Sequence, residues 1–282
     1  MKFIFHVLIL SCFLFSCKKT VSTTEQSKIA SHKKELKKEV LKLKSIPYHG
    51  THKSIHIIVA LCDNKYQGIV PVPKTIGNGQ DPKNNLYWGT AYGIKTFFKR
   101  SSDWTFLKQE KLDSLILERI VFKHKDKDFY LVADAYNGKY IKQATETFLR
   151  SSAGITKDTI QIKKQVIGIN GNSQLVAYIG HDGLMDFMLH EKFINIDQKK
   201  RDVIILACYS KTYFQPHLQN AKVNPLVWTT GLMAPEAYTI HDAISGYLQN
   251  ESNDQIRLRA AKAYHKYQKC GLKGAKNLLV TN

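Results

Sequence analysis

The chain has 282 residues, of which 43% are hydrophobic, and its 42 lysines and arginines against 23 aspartates and glutamates give a formal net charge of +19. This apolar content excludes a disordered chain, and the length allows one sizeable core or two small ones. The basic residues are 36 Lys and only 6 Arg. Because proteins that read nucleic acids rely on the planar Arg side chain, we expect a Lys-rich surface and no specific nucleic-acid partner.

Residues 1–16 predict an export signal. Lys2 precedes an apolar stretch at 3–15, which is too short to span a bilayer, and the sequence turns polar at Lys18. The segment Leu14-Phe15-Ser16-Cys17 resembles the lipobox of bacterial lipoproteins. The resemblance implies cleavage before Cys17 and diacylation of its thiol, and therefore an exported lipoprotein of the cell envelope that is anchored in a membrane through Cys17. An ordinary secretory signal with an incidental cysteine is the alternative.

Residues 17–53 predict a basic tether. Lysines dominate 31–44, where Leu36, Val40 and Leu43 recur at helical spacing, so this part of the tether is expected to form an amphipathic helix. A single domain is then expected over residues 54–282.

Short apolar runs alternate with helical stretches in this domain. The strands are predicted at 55–61, 117–124, 128–135, 175–179, 203–207 and 226–229, with a long Pro/Gly/Asn loop after the first. Helices are predicted around 88–98, after Asn137, from Pro235, and from a capping box of Ser252 and Gln255. The pattern predicts an α/β fold: a three-layer α/β/α sandwich with a mainly parallel sheet.

Two reactive side chains are predicted to follow neighbouring strands. His181 comes after the apolar run 175–179 and Gly180, and Cys208 directly follows the run 203–207. If the two strands are parallel neighbours, both residues emerge at the same sheet edge, where ligands of open α/β sheets bind. An imidazole beside a thiol can accept its proton, and the thiolate attacks carbonyl carbons.

The pairs Gly180-His181 and Ala207-Cys208 resemble the sequence around the catalytic residues of caspase-like cysteine peptidases, the group that includes caspases, gingipains and CHAT-type bacterial domains. The resemblance implies a caspase-like fold over 54–282 and a peptide or protein substrate, with no cofactor. It implies that His181 is the catalytic base and Cys208 the nucleophile. The amides of Gly183 and Cys208 would stabilise the oxyanion.

Asp63 and Asp134 end two apolar runs, so their carboxylates are expected near the same edge of the sheet. They could line a substrate pocket for a Lys or Arg side chain, or they could be structural caps.

Two other functions remain open from the sequence. His-Asp occurs at His181-Asp182 and at His241-Asp242, which invites comparison with metal-dependent phosphohydrolases of the HD type, although no further spaced ligands complete such a site. The other is a surface lipoprotein that binds a partner through the same scaffold without catalysis.

Overall fold

The computed structural model of the chain describes residues 50–68 and 70–281. The predicted signal peptide, Cys17 and most of the tether lie outside these residues. The strands in chain order are β1 (Lys53–Ala60), β2 (Trp104–Glu110), β3 (Ile116–His124), β4 (Phe129–Tyr136), β5 (Lys157–Ile162), β6 (Gln165–Asn170), β7 (Leu175–Gly180), β8 (Arg201–Leu206), β9 (Val223–Thr229) and β10 (Leu279–Val280).

Eight of these strands form one mixed, mainly parallel sheet in the order β10-β9-β8-β7-β1-β4-β3-β2. The five strands β4, β1, β7, β8 and β9 run parallel to one another, and the outer strands pair antiparallel. From β1 the chain goes to the edge strand β2 and returns inward through β3 to β4, whereas from β7 it moves outward on the other side through β8 to β9. The strand order therefore reverses between β1 and β7, at the position where open α/β sheets leave a crevice beyond the strand ends.

Helices cover the sheet on both faces. They are α1 (Ile94–Arg100), α2 (Ile141–Ser152), α3 (Ser210–Leu218), α4 (Ala237–Leu248), α5 (Asn253–Gln268) and α6 (Leu272–Leu278). One core contains side chains of α1, α4 and α5, and the other contains side chains of α2 and α3. The predicted α/β class is confirmed, and the layers are compatible with the predicted sandwich.

Burial on both faces explains why β1 is almost continuously apolar. Every residue of β1 after Lys53 is buried, because parallel strands lie between two helical layers. Among the described residues no helix has both the length and the hydrophobicity that a membrane crossing requires.

Several elements differ from the sequence prediction. The strands β2, β5 and β6 and the helix α3 were not predicted, and α1 begins at Ile94 rather than near residue 88. Pro235 precedes α4, whose N-cap is Glu236. The capping box of Ser252 and Gln255 is present at the start of α5.

Candidate active site

The register of β7 and β8 brings His181 and Cys208 to one edge of the sheet. The two strands are parallel neighbours, and Ile179 lies opposite Leu206. The strands end at Gly180 and Leu206, so His181 and Cys208 both leave the sheet at the carboxyl ends of these neighbouring strands. Ile179 and Leu206, which form the last residue pair of the two strands, both belong to the core under α1, α4 and α5.

A glycine allows the chain to turn tightly before the imidazole. Gly180 has a φ of +133°, and a Cβ at this position would lie 2.0 Å from the carbonyl oxygen of Ala60. The backbone N–H of His181 then donates to that same carbonyl at 3.0 Å. The approach of β7 to β1 therefore requires glycine and fixes the start of the His181 loop.

A carboxylate orients the imidazole. Nε2 of His181 lies 2.6 Å from Oδ2 of Asp186, and both side chains are largely buried. Because a carboxylate only accepts, Nε2 carries the hydrogen and Nδ1 of the neutral ring keeps its lone pair. Nδ1 has no hydrogen-bond partner in the described part of the chain, so it is available as a proton acceptor. Asp186 was not predicted from the sequence.

Cys208 lies at a sharp turn that leads into α3. The next residue, Tyr209, is the N-cap of α3 and has left-handed backbone angles (φ 50°, ψ 30°), a conformation that is rare for a bulky residue and that clusters at functional sites. The thiol is partly exposed, and Sγ lies 3.9 Å from the carbonyl oxygen of Met233. No hydrogen bond joins it to His181 in this structure.

Burial raises the pKa of the Cys208 thiol above its ordinary value. A hydrogen bond with the backbone of Met233 acts in the opposite direction, and the charge of Asp182 adds to the rise. Cys208 therefore rests as a neutral thiol, and its activation requires an acceptor for the proton. Cys62, at the end of β1, is buried in the core, and burial raises its pKa to about 12.

The two predicted oxyanion donors differ. The Cys208 N–H has no acceptor among the described residues, so it can donate to a ligand. The backbone of Gly183 forms a hydrogen bond with the buried hydroxyl of Tyr178, and a Cβ at Gly183 would collide with Thr145 and Phe187. Gly183 is thus packed beside Thr145 of α2, and its role in an oxyanion site stays a prediction.

Asp182 is a buried carboxyl group next to the candidate pair. Its side chain has no solvent exposure, and Oδ1 accepts the N–H of Leu184 at 3.0 Å, whereas Oδ2 has no hydrogen-bond partner in the described structure. Burial raises the pKa of Asp182 to about 7, with a further contribution from Asp186. The Asp182 carboxyl group is therefore mostly neutral in weakly acidic solution.

The predicted pocket carboxylates are already bonded within the protein. Asp63 is 3% exposed and accepts the N–H of Lys65 at 2.8 Å, as a turn-stabilising residue does. Asp134 is fully buried within β4, where it accepts two hydrogen bonds from Arg119 at 2.6 and 2.7 Å and lies 3.0 Å from Nε2 of His56. Asp134, with Arg119 and Tyr136, is among the residues that line a cavity of about 320 Å³, but its carboxylate is already paired with Arg119. That the two carboxylates bind a substrate cation stays a prediction.

The long loop after β1 lies against the candidate site. A Cβ built on Gly68 would be 3.5 Å from Oδ1 of Asp186. Gln67 stabilises the start of the loop, because its side-chain amide donates hydrogen bonds to the carbonyl oxygens of Leu61 and Gly138 at 2.9 and 3.2 Å. The loop therefore forms a wall beside the His181–Asp186 pair.

Within residues 50–68 and 70–281 no group of three or more His, Cys, Asp or Glu side chains is placed to hold a metal ion. The two His-Asp pairs of the sequence do not assemble a ligand set in this part of the chain. Comparisons of the chain with protein-family models, with curated proteins and with solved structures found no match.

Proposed function

We propose that this chain is a caspase-like cysteine peptidase that uses His181 and Cys208 on peptide or protein substrates. The observation that carries the proposal is the parallel pairing of β7 with β8, whose register leads to His181 and Cys208 at one sheet edge. The contact between His181 and Asp186 adds to it, because a base held in one tautomer by a carboxylate is the arrangement that activates nucleophiles in hydrolases.

The chemistry follows from the protonation states. As a peptide carbonyl approaches, Sγ of Cys208 attacks the carbonyl carbon and its proton moves to Nδ1 of His181. The oxyanion accepts a hydrogen bond from the Cys208 N–H. Collapse of the tetrahedral intermediate breaks the C–N bond, and the leaving amine takes the proton from His181. Water then attacks the thioester with His181 as base, which releases the acid and restores the thiol.

The raised pKa of Cys208 decides between two forms of this mechanism. A preformed thiolate–imidazolium pair requires a lowered thiol pKa, whereas burial raises it here. Proton transfer is therefore coupled to the attack of sulfur on the carbonyl carbon. This step requires Nδ1 of His181 within hydrogen-bond distance of Sγ in the substrate complex, where catalytic contacts tighten.

The test is peptide hydrolysis by the full chain and by matched cysteine variants. We expect Cys208→Ala to remove cleavage of a mixed fluorogenic peptide library, while Cys270→Ser, at an exposed cysteine, retains it. Equal cleavage by wild type and Cys208→Ala would refute the assignment. Absence of cleavage by all three proteins, with peptide binding retained, would favour the non-catalytic binding module.

Export and anchoring belong to the same proposal and rest on residues 1–17 of the sequence. Cys17→Ala should release the protein from membranes of a bacterial host, because a diacylated cysteine supplies the two chains that stable anchoring needs. Unchanged membrane retention of this variant would contradict lipidation at Cys17.

A further inference from the structure

A serine, a histidine and an aspartate form a second chain of contacts where the end of α1 meets α4. Oγ of Ser101 lies 2.9 Å from Nε2 of His241, and Nδ1 of the same ring lies 3.0 Å from Oδ1 of Asp242. Ser101 directly follows α1 and His241 lies on α4, so the packing of these two helices brings together residues that are 140 positions apart.

The direction of each hydrogen bond follows from the donors that are present. The Asp242 carboxylate only accepts, so Nδ1 of the neutral ring carries the hydrogen and Nε2 is an acceptor. Oγ of Ser101 also accepts the N–H of Asp103 at 3.2 Å. The hydroxyl proton of Ser101 therefore points to Nε2, which is the arrangement of a nucleophile, a base and an orienting carboxylate.

Aromatic contacts hold the imidazole in place. The rings of Phe97 and Phe98 each meet His241 edge-on with centroids 5.3 Å apart, and the His241 side chain is only 13% exposed. A base whose ring is fixed by packing and by a carboxylate meets the requirement for a preorganised site.

An open cavity of about 360 Å³ lies beside this site, and its lining is partly aromatic and partly polar, with Ser102 and Asp103 among the polar residues. Tyr92, Phe97 and Tyr267 form its aromatic walls, and Ser101 and His241 also line it. A stack of Tyr267 on Tyr238, with centroids 4.1 Å apart, supports one wall. The volume and the aromatic lining suit a small apolar or aryl group.

We propose that Ser101, His241 and Asp242 form a second hydrolytic site, which cleaves small carboxylic esters with apolar or aryl groups. Oγ of Ser101 attacks the ester carbonyl carbon and its proton passes to Nε2 of His241. The C–O bond breaks, the leaving alcohol takes that proton, and an acyl-serine remains. Water then attacks the acyl carbon and gives a proton to Nε2 of His241. The bond to Oγ breaks, His241 passes that proton to Oγ of Ser101, and the acid is released.

The backbone supplies a donor for the oxyanion beside the nucleophile. The N–H of Ser102 has no acceptor among the residues that the structure describes. The residue after the nucleophile contributes such an N–H in other serine hydrolases. Arg100 also lines the cavity, and one of its nitrogens donates to the carbonyl of Ala91.

The experiment uses the full chain, a fluorophosphonate probe and 4-nitrophenyl butyrate. We expect one fluorophosphonate adduct, mapped by peptide mass spectrometry to Ser101, and ester hydrolysis that Ser101→Ala lowers about 100-fold or more. Ser114→Ala, at an exposed serine in a loop, should retain both signals. Ser101→Ala removes one oxygen atom, and a thermal melt close to wild type would show that the variant is folded.

The orienting role of Asp242 has a separate readout. Asp242→Asn should lower kcat by about 100-fold or more with little change in KM, because the amide can hold Nδ1 as an acceptor and leave the wrong tautomer. An adduct on Cys208, no adduct on any residue, or undiminished hydrolysis by Ser101→Ala would each overturn the proposal. Failure of peptide cleavage at Cys208 would leave this site unaffected, since the two sites use different residues.

Discussion

Replacement of Asp182 by Asn tests whether a buried carboxyl group next to the candidate site destabilises the folded protein at neutral pH. Burial raises the pKa of Asp182 from 3.8 to about 7. The folded state therefore holds a proton between these two values that the unfolded state has lost, and the free energy of unfolding falls as the pH rises through this window. A shift of about 3 pH units at 1.36 kcal/mol per unit gives an upper limit of about 4 kcal/mol above pH 7.

Asp182→Asn removes the charge and keeps an oxygen that can accept the Leu184 N–H. Urea unfolding of both proteins should give similar free energies near pH 3, where the Asp182 carboxyl group is mostly protonated in the folded and in the unfolded state. At pH 8 the variant should be more stable, by up to about 4 kcal/mol. Asp254→Asn, at a side chain that is 81% exposed, should show no such pH-dependent gain. A gain of equal size at both pH values, or a less stable Asp182→Asn at pH 8, would refute the reasoning.

Three further substitutions test the scaffold and the site. Gly180→Ala should lower the free energy of urea unfolding by at least about 2 kcal/mol, because its Cβ collides with the backbone. The control Gly274→Ala has open space around it on α6 and should raise this free energy by about 0.5–1 kcal/mol. A Gly180→Ala variant more stable than Gly274→Ala would contradict the argument. Asp134→Ala should cost about 3–5 kcal/mol in the same assay, because it leaves the largely buried Arg119 unpaired, and a cost below 1 kcal/mol would show that the network is not needed. Asp186→Asn should lower kcat for peptide cleavage by about 100-fold or more with little change in KM, and an unchanged kcat would remove Asp186 from the site.

The elements with strong periodicity were predictable because burial follows the sequence pattern. Strands β1, β7 and β8 have mainly apolar sequences because helices cover both of their faces. The capping box at Ser252 has a sequence signature of its own. The edge strand β2 has a largely exposed pattern, so it shows no alternation that a sequence reading could use. Pro216 lies inside α3. Because proline disfavours the interior of a helix, helix propensity does not predict this element.

The candidate site was predictable only where it depends on strand ends. His181 and Cys208 were identified because each follows an apolar run. Asp186 reaches His181 through the short 3₁₀ turn Gly183–Met185, which no periodicity marks. A second Asp five residues after the histidine was the one available signal. Contacts between distant segments, such as that of Ser101 with His241, depend on helix packing and have no local signature.

The most direct test of the central claim is the site of covalent labelling by a peptidyl acyloxymethyl ketone, measured by intact mass and peptide mapping. The account predicts one adduct, on Cys208, formed much more slowly in His181→Ala and absent from Cys208→Ala. An adduct on Cys62 or Cys270 instead, or an equal rate of labelling in wild type and His181→Ala, would contradict the claim that the imidazole activates this thiol.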